Sequence, residues 1–389
     1  MKLKIGVIFG GKSVEHEVSI ISAIQAINNI DKDKYNIVPI YISKEKELYT
    51  GKNLLKIENY KDLQEIKKVS KAVTLCKINN EFCLLSLTGL RKVVDKIDVA
   101  FPIVHGAGVE DGSLAGYLDT IGVPYVGSRV LGSALGQDKV ILKYVLKAND
   151  IPVTDFVWFY DSEYLVSKDT YLKQIKEMGY PVVVKPASLG SSVGITYVKD
   201  EDSIDKAIEE AFEYDRKILV EKAVDNLVEV NCSVLGNYHH QEVSILEEVI
   251  SSSDILTYQD KYIGHRKMKG PSKGMVNTDR RIPANIDECL QKEIKDLSIL
   301  TFKALNLSGV CRIDYLIDSK KNKVYVNEPN IIPGSLSFYL WEPIGKKYQE
   351  LLDDLIKQAI DEYKISNKKV SHFQTNILEN FEGTKGIKK

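Results

Sequence analysis

Cysteine is scarce in this chain and falls into no pattern. The five cysteines, Cys76, Cys83, Cys232, Cys289 and Cys311, are odd in number and scattered. Neither a disulfide framework nor a zinc site fits them, and reduced thiols in a cytoplasmic protein are expected. Excess charge is also missing. A net charge of −1 argues against a general nucleic-acid surface, which needs a basic excess. No apolar run approaches membrane-spanning length, so no membrane partner is expected. The opening MKLKIGVIFGG has two lysines and an apolar run too short for a signal core, and it ends in Gly-Gly without a small-residue cleavage site. Internal repeats are absent, and the histidines form no metal-ligand spacing. What is present is the composition of a soluble globular protein, 44% hydrophobic and 28% charged. At 389 residues the chain is too long for one simple core, and two or three domains are expected.

Leu3 to Phe9 is a short apolar run that reads as a buried parallel strand. A Gly10-Gly11 turn follows. Ser13 is placed to cap a helix with Glu15 and Glu17 in its first turn, where the helix dipole favours acids. Val18, Ile21, Ile24 and Ile27 form its apolar face, and Tyr35 to Ile42 reads as a second strand. Strand, helix, strand begins an open α/β domain. The stretch 98–127 holds another strand, VAFPIVHG, a Gly-rich loop and a short helix. Beyond Leu131 the pattern predicts helices over 139–149 and 204–214, and strands over 181–185, 194–198, 218–221 and 228–235. Residues 251–277 form a long polar stretch rich in Lys, Tyr and Gly, and loops of that length are usually functional or disordered. Tyr348 to Tyr363 is amphipathic, with Leu351, Leu352, Leu355, Ile356 and Ala359 inward. The tail from Ser366 is polar.

The densest chemistry lies in Gly309 to Leu340. Two β-branched-rich runs flank the polar turn 318–322 and read as a hairpin. One register, centred on Lys321, sets Arg312 opposite Asn330 and Asp314 opposite Glu328, among Val310, Leu316, Val324 and Val326. Opposite side chains start roughly 5 Å apart. Two carboxylates and an amide oxygen at that spacing repel unless a cation sits among them, and an all-oxygen set suits Mg²⁺. The plainer alternative is a half-solvated sheet face with ordinary charge pairs.

Two motifs are decoys. Gly6 to Ser13 fits G-x-x-x-x-G-K-[ST], but that motif needs its strand before the first glycine, and here Val7-Ile8-Phe9 is the strand. What survives is a Gly-Gly turn at a helix N-terminus, suited to a carboxylate or phosphate. Gly190 to Gly194 fits G-x-S-x-G, the serine-hydrolase elbow, which requires a helix next, whereas Ile195 to Val198 reads as a strand. A small-residue loop whose N–H groups wrap phosphates, with Lys185 at the end of the preceding strand, fits better; a simple flexible hairpin loop is the other reading. His105 follows an apolar strand and precedes Gly106. That places it at a strand's C-terminal end, where open α/β sheets bind ligands, although a lone histidine is more often structural.

GGKSVEHEVSI, VHGAGVEDGSLAGYL, VVVKPASLGSSVGI, YQDKY, CRIDYLI and NEPNIIPG occur in the order found in D-alanine–D-alanine ligases. The chain resembles that family from about residue 4 to about residue 364. The resemblance implies an ATP-grasp fold with an N-terminal open α/β (Rossmann-like) domain over 1–127. It further implies a central subdomain over 128–220 and a catalytic subdomain over 221–365, before a polar tail over 366–389, with ATP between the last two domains. It implies that Lys139 and Lys185 hold ATP phosphates under the 188–194 loop, including Ser192. Glu221, Lys222 and Val224 match the adenine segment, Glu229 the acid on the ribose, and Lys261 a lysine at the transferred phosphate. Asp314, Glu328 and Asn330 match magnesium ligands, for two ions that Mn²⁺ can replace. Glu15 matches the residue on the first D-alanine's ammonium, with His105 beside it, and Ser191 and Tyr262 match the partners of Glu15. Arg312 and the Gly334 N–H match the oxyanion site. A homodimer in the cytoplasm, making peptidoglycan precursors, completes the expectation.

The reaction implied is phosphorylation of one D-alanine to an acyl phosphate and attack by the amine of the second. Such transfer needs alignment and charge neutralisation rather than a protein nucleophile. The chain departs from the family in four places. Pro329 cannot donate a ladder hydrogen bond and so needs an edge or a bulge. Ile331 replaces a usual Thr. Gly136-Gln137-Asp138 stands where Met-Asp is common. Tyr339 stands where the family usually has a Ser on the second D-alanine's carboxylate. The alternative within the class is a ligase joining D-alanine to a different amino or hydroxy acid. A non-catalytic nucleotide-binding regulator would be expected to lose metal ligands, and this chain keeps all three.

Overall fold

The computed structural model describes residues 2–89, 91–106, 108–190, 193–250 and 279–370. The chain begins with β1 (Leu3–Gly10), α1 (His16–Asn29), β2 (Tyr35–Ile42), β3 (Leu48–Thr50), α2 (Leu63–Lys68), β4 (Lys71–Ile78), β5 (Glu81–Ser86), β6 (Val93–Ile97), β7 (Val99–Pro102) and α3 (Ser113–Ile121). β1 pairs in parallel with β2 and with β7, the βαβ unit predicted from the apolar runs. β3 to β6 extend the sheet as an antiparallel meander that the sequence reading did not resolve. The sheet order is β6-β5-β4-β3-β2-β1-β7. Gly6 sits inside β1, where a Cβ would come within 2.9 Å of Ile97. Its job is close packing, which disposes of the phosphate-loop reading. The C-terminal ends of β1 and β7 deliver the Gly10-Gly11 turn and His105 to the same sheet edge.

The second unit comprises α4 (Val130–Gln137), α5 (Lys139–Ala148), β8 (Phe156–Tyr160), α6 (Asp161–Met178), β9 (Val182–Pro186), β10 (Thr196–Val198), α7 (Ile204–Phe212) and β11 (Lys217–Lys222). Asp138 caps α5 by accepting from the Val140 and Ile141 N–H groups. β9 and β10 are an antiparallel hairpin, so a strand follows Gly194 and the hydrolase elbow is excluded.

The third unit comprises β12 (Leu227–Gly236), β13 (Gln241–Ile250), β14 (Asp279–Arg281), α8 (Glu288–Ala304), β15 (Gly309–Asp318), β16 (Lys323–Asn330) and α9 (Tyr348–Asn367). The sheet runs β14-β13-β12-β15-β16, antiparallel throughout. Alternation along these strands sorts the two faces. Val230, Cys232, Val234, Ile313, Tyr315, Ile317, Val324 and Val326 pack on Ile294, Leu297 and Phe302 of α8. The opposite face carries the polar residues and looks into a cleft.

The expected inward face of α9 is buried. It does not pack only within its own unit: Leu351, Leu352, Leu355 and Ile356 share one core with Ile5, Val7 and Phe9 of β1 and with Ile20, Ile24 and Ile27 of α1. Among the described residues no helix is long and apolar enough to cross a membrane.

Candidate active site

The cleft face of the third sheet is a grid. Glu247, Asn231, Asp314 and Glu328 stand side by side on β13, β12, β15 and β16, and Ser233, Arg312 and Asn330 form the next row. Arg312 faces Asn330 and Asp314 faces Glu328, as the spacing predicts. The single register centred on Lys321 does not extend to the turn, however. Tyr315 faces Val326, so Asn327 is an extra residue in β16 and makes a bulge. This correction has a physical consequence. Val324 and Val326 point into the core, and an unbroken strand would send Glu328 and Asn330 there too. The bulge turns the pair to the cleft. It also puts buried Pro329 on the core side of an edge strand, where its missing N–H costs no ladder bond. Pro329 and Ile331, both departures, pack against Gly136 of α4.

The hairpin carboxylates are compensated by the protein's own cations. The Arg312 Nε and Nη2 atoms donate to the two Asp314 oxygens at 2.7 and 2.9 Å. Lys139 Nζ lies 3.0 Å from Glu328 Oε2 and donates to the Leu189 carbonyl at 2.7 Å. Burial opposes charge on Arg312, but Asp314 outweighs it and holds the guanidinium protonated. Asn330 Nδ2 donates to Asp314 at 3.1 Å, so a turn of the amide would present its oxygen instead. Among the described residues no three His, Cys, Asp or Glu side chains are arranged to hold a metal. The donor set is two carboxylates and an amide. Hard oxygen ligands of this kind fit Mg²⁺, which commonly takes one or two carboxylates and completes its shell with water and phosphate oxygens.

These residues line a cavity of about 710 Å³ that reaches all three units. At one end lie Glu15 and His105. Glu15 is the N-cap residue of α1 rather than a first-turn residue, and it uses no side-chain cap bond. The Ser13 hydroxyl accepts from the Glu15 N–H and donates to the His105 carbonyl, locking the two loops together. A Cβ on Gly106 would meet Ser13 at 2.7 Å, so glycine is required for that approach. Burial lowers the His105 pKa, and its Nε2 lies 3.4 Å from the Ser22 hydroxyl. Glu110, which the sequence reading passed over inside VHGAGVEDG, accepts from the Gly106 N–H at 2.6 Å. Burial, then the Glu15 charge, push it up to about 8.

At the other end, Lys185 Nζ lies 2.6 Å from Glu221 Oε2 and 3.2 Å from Asn327 Oδ1, so the bulge residue reaches the lysine. Lys143, one turn after Lys139, takes Glu221 Oε1 at 2.8 Å. Burial opposes ionisation of Glu221, but the two lysines outweigh it and hold the carboxyl down to about 2. Glu221, Lys222, Ala223 and Val224 all line the cavity. Lys222 donates to the Gly179 and Tyr180 carbonyls. Val224 and Glu229 line the cavity, and Gln137 donates to the Ser188 carbonyl at 2.6 Å. Ser191, Ser192, Lys261 and Tyr262 lie outside the described residues.

Gly334 begins a 3-10 segment, Gly334–Leu340. Inside it Ser335, Leu336 and Ser337 have φ of 51°, 53° and 52°, three non-glycine residues in the left-handed region. That turn carries Tyr339 to the cavity wall. The phenol donates to Glu247 Oε2 at 3.1 Å, and burial, then the Glu247 charge, raise its pKa to about 12. Asn231 Nδ2 donates to the same oxygen. Arg280 Nε lies 3.2 Å from Glu247 Oε1, with the guanidinium 5.1 Å from the Tyr339 ring centre. Neither Glu247 nor Arg280 was singled out from sequence; the paired acids Glu247-Glu248 inside an apolar strand were the available signal.

Two antiparallel sheets closing on a lysine- and carboxylate-lined cleft, beside an open α/β unit, define an ATP-grasp ligase. Residues 4–128 match the family model described as D-ala D-ala ligase N-terminus, and 145–357 match D-ala D-ala ligase C-terminus. The D-alanine–D-alanine ligase of Thermosipho melanesiensis is 41% identical over 377 residues, covering 97% of this chain and 98% of that one. Among solved structures, the VanG D-Ala:D-Ser ligase of Enterococcus faecalis superposes with a TM-score of 0.77 at 31% identity, over 92% of this chain and 100% of that one. The D-alanine–D-alanine ligase of Bacillus anthracis complexed with ATP gives 0.65 at 26% identity, over 94% and 99%. This chain belongs to the D-alanine–D-alanine ligase family.

Proposed function

We propose that the protein joins two D-alanines into D-alanyl-D-alanine with cleavage of ATP, supplying a peptidoglycan precursor. The observation that carries this reading is the single cavity that sets Glu15 and His105 at one end against the Arg312–Asp314–Glu328–Asn330 grid and the Lys139–Lys185 pair. A carboxylate is a poor electrophile, and activation by a phosphoryl group requires positioned cations along the transfer path. Lys139 and Lys185 stand where ATP phosphates would lie. Glu15 receives the ammonium of the first D-alanine. Arg312 and the Gly334 N–H stabilise the oxygen that gains charge when the second amine attacks the acyl phosphate. Asp314, Glu328 and Asn330 would hold Mg²⁺, two ions with Mn²⁺ as a substitute, exchanging their contacts to Lys139 and Arg312 for it. When bound, Mg²⁺ neutralises phosphate oxygens and orients the leaving group. Ser191 and Tyr262 complete the first-substrate side in this reading, and Lys261 reaches the transferred phosphate. The protein acts as a cytoplasmic homodimer.

One observation favours a second reading in which the second substrate differs: Tyr339 commits its hydroxyl to Glu247, where the family usually offers a serine. Incubation of the purified protein with ATP, Mg²⁺ and D-alanine, D-serine and D-lactate, singly and in pairs, separates the two. ADP release with D-alanine alone and a dipeptide mass support the first. Release only with a mixed pair establishes the second, and no release with any combination overturns both.

A further inference from the structure

α5 carries a second lysine one turn beyond Lys139, and the reaction derived above gives it no task. Residues four apart share one helix face, so Lys143 leaves α5 on the same side as Lys139. It is 1% exposed and does not line the cavity. Its Nζ lies 2.8 Å from Glu221 Oε1 and donates to the Thr154 hydroxyl at 2.9 Å, with the Phe156 ring centre 5.5 Å away. An ammonium has three donors, and a carboxylate, a hydroxyl and an aromatic face surround this one. Burial pulls the Lys143 pKa down, and the Glu221 charge opposes the fall. A buried ion pair is often no more stabilising than well-packed apolar residues of the same volume, so stability alone does not account for a lysine here. Glu221 is the link to the cavity. Its other oxygen holds Lys185 Nζ at 2.6 Å, and Lys185 lines the cavity where phosphates would lie. With Glu221 as its sole neighbour, Lys185 would be half of a neutral pair. With Lys143 on the second oxygen, one carboxylate answers two ammonium groups, and the triad keeps one net positive charge. Coulomb attraction falls only as the inverse of distance in a buried site, so Lys143 acts on a phosphate without touching it.

We infer that Lys143 is a positioning residue for ATP: by sharing Glu221 it preserves a net positive charge at Lys185 and so sets the affinity of the cleft for the nucleotide's phosphates. This rests on the ligase reading above. The inference concerns a count of charges rather than a contact. Removing Lys143 cancels the positive charge of the triad, and removing Lys143 and the Glu221 charge together restores it.

The test uses the full chain, comparing wild type, Lys143→Met, Lys143→Gln and the double variant Lys143→Met/Glu221→Gln. Dissociation constants for ATP with Mg²⁺ and for adenosine are measured by calorimetry, and their ratio separates the phosphates from the adenine. In Lys143→Met, ATP should weaken about ten- to thirtyfold relative to adenosine, the effect of one unit charge on the order of 10 Å away at an effective dielectric of about 20. The double variant loses one charge of each sign, and its ratio should return to within about threefold of wild type. Lost packing would weaken both ligands together, and a second buried substitution would not rescue it. Lys143→Gln removes the same charge and keeps a donor for Glu221, so it reads the ratio if Lys143→Met does not fold. A ratio that survives both single variants, or a loss that the double variant does not restore, overturns this inference; ADP release by the wild type with D-alanine then leaves the ligase reading standing. A wild type that binds no ATP overturns both.

Discussion

Glu328 has a lysine where the ligase reading puts a metal ion, and that gives its removal a distinctive signature. With Gln at 328, Lys139 loses its counter-charge and the oxygen set loses half its negative charge. Glu328→Gln is expected to cut ADP formation by roughly a hundredfold or more at limiting Mg²⁺, since a metal's contribution to such a transfer is several kcal/mol. Excess Mg²⁺ should restore part of it. Unchanged turnover at limiting Mg²⁺ would remove Glu328 from the metal site. Glu110 makes a pH prediction. Its ordinary value is 4.5, and burial with the Glu15 charge raises it to about 8. Between these values the folded protein keeps a proton that the unfolded chain has lost. Stability from this group is complete below about 4.5 and drains away as pH rises to about 8. Glu110→Gln cannot ionise, so its melting temperature should gain on wild type between pH 5 and pH 8 without ligands; parallel curves would refute the assignment. At this scale the sequence was partly legible. Residues two apart on a strand share a face, which made Arg312 and Asp314 readable as a pair. The partner of Glu328 was not, because Lys139 comes from a helix far along the chain. Glu110 sat unnoticed inside a motif quoted for its glycines.

The bulge at Asn327 is a feature of the element rather than of any side chain. Deleting Asn327 would restore an unbroken β16 and drive Glu328 and Asn330 toward the core occupied by Val324 and Val326. An uncompensated buried charge costs about 3–5 kcal/mol. The deletion variant should therefore lose that much stability to denaturant and all ADP formation, whereas Asn327→Ala, which keeps the backbone count, should retain its stability and lose only the contact to Lys185. Equal stability of the deletion variant and wild type would show that the strand can slip without penalty. Apolar runs predicted β1, β2, β11 and β12 to within a residue or two, because strands buried on both faces read as continuous hydrophobic stretches, whereas β16, buried on one face, has to be read from its period of two. A bulge breaks that period by a single residue, and polar Asn327 between Val326 and Glu328 fits either count. The meander β3 to β6 escaped for a related reason: its strands are short or carry exposed and half-buried polar residues, and the burial pattern of Lys71–Ile78 shows little contrast to read.

At the scale of the molecule, the first and last parts of the chain build one core. Leu355 is 1% exposed and packs in the cluster that includes Phe9 and Ile24. Leu355→Ala should cost about 2–5 kcal/mol. Hydrogen exchange should quicken in β1 and α1 as well as in α9, and acceleration confined to α9 would refute a shared core. The sequence showed the inward face of α9 but not its partner, since amphipathicity names a face and says nothing of what covers it. The other side of the N-terminal sheet is self-contained: Ile8, Val38, Ile40, Leu75, Leu84 and Leu118 close on one another. The two sides therefore mature at different times on the ribosome. Residues up to about 127 emerge early, and α9, beginning at Tyr348, follows after on the order of ten to forty seconds at about 5–20 residues per second. Through that interval Ile5, Val7 and Phe9 have only α1 and their near neighbours to cover them. The nascent chain thus carries an unfinished apolar face that a ribosome-bound chaperone can hold, and premature termination before residue 348 leaves that face open for good.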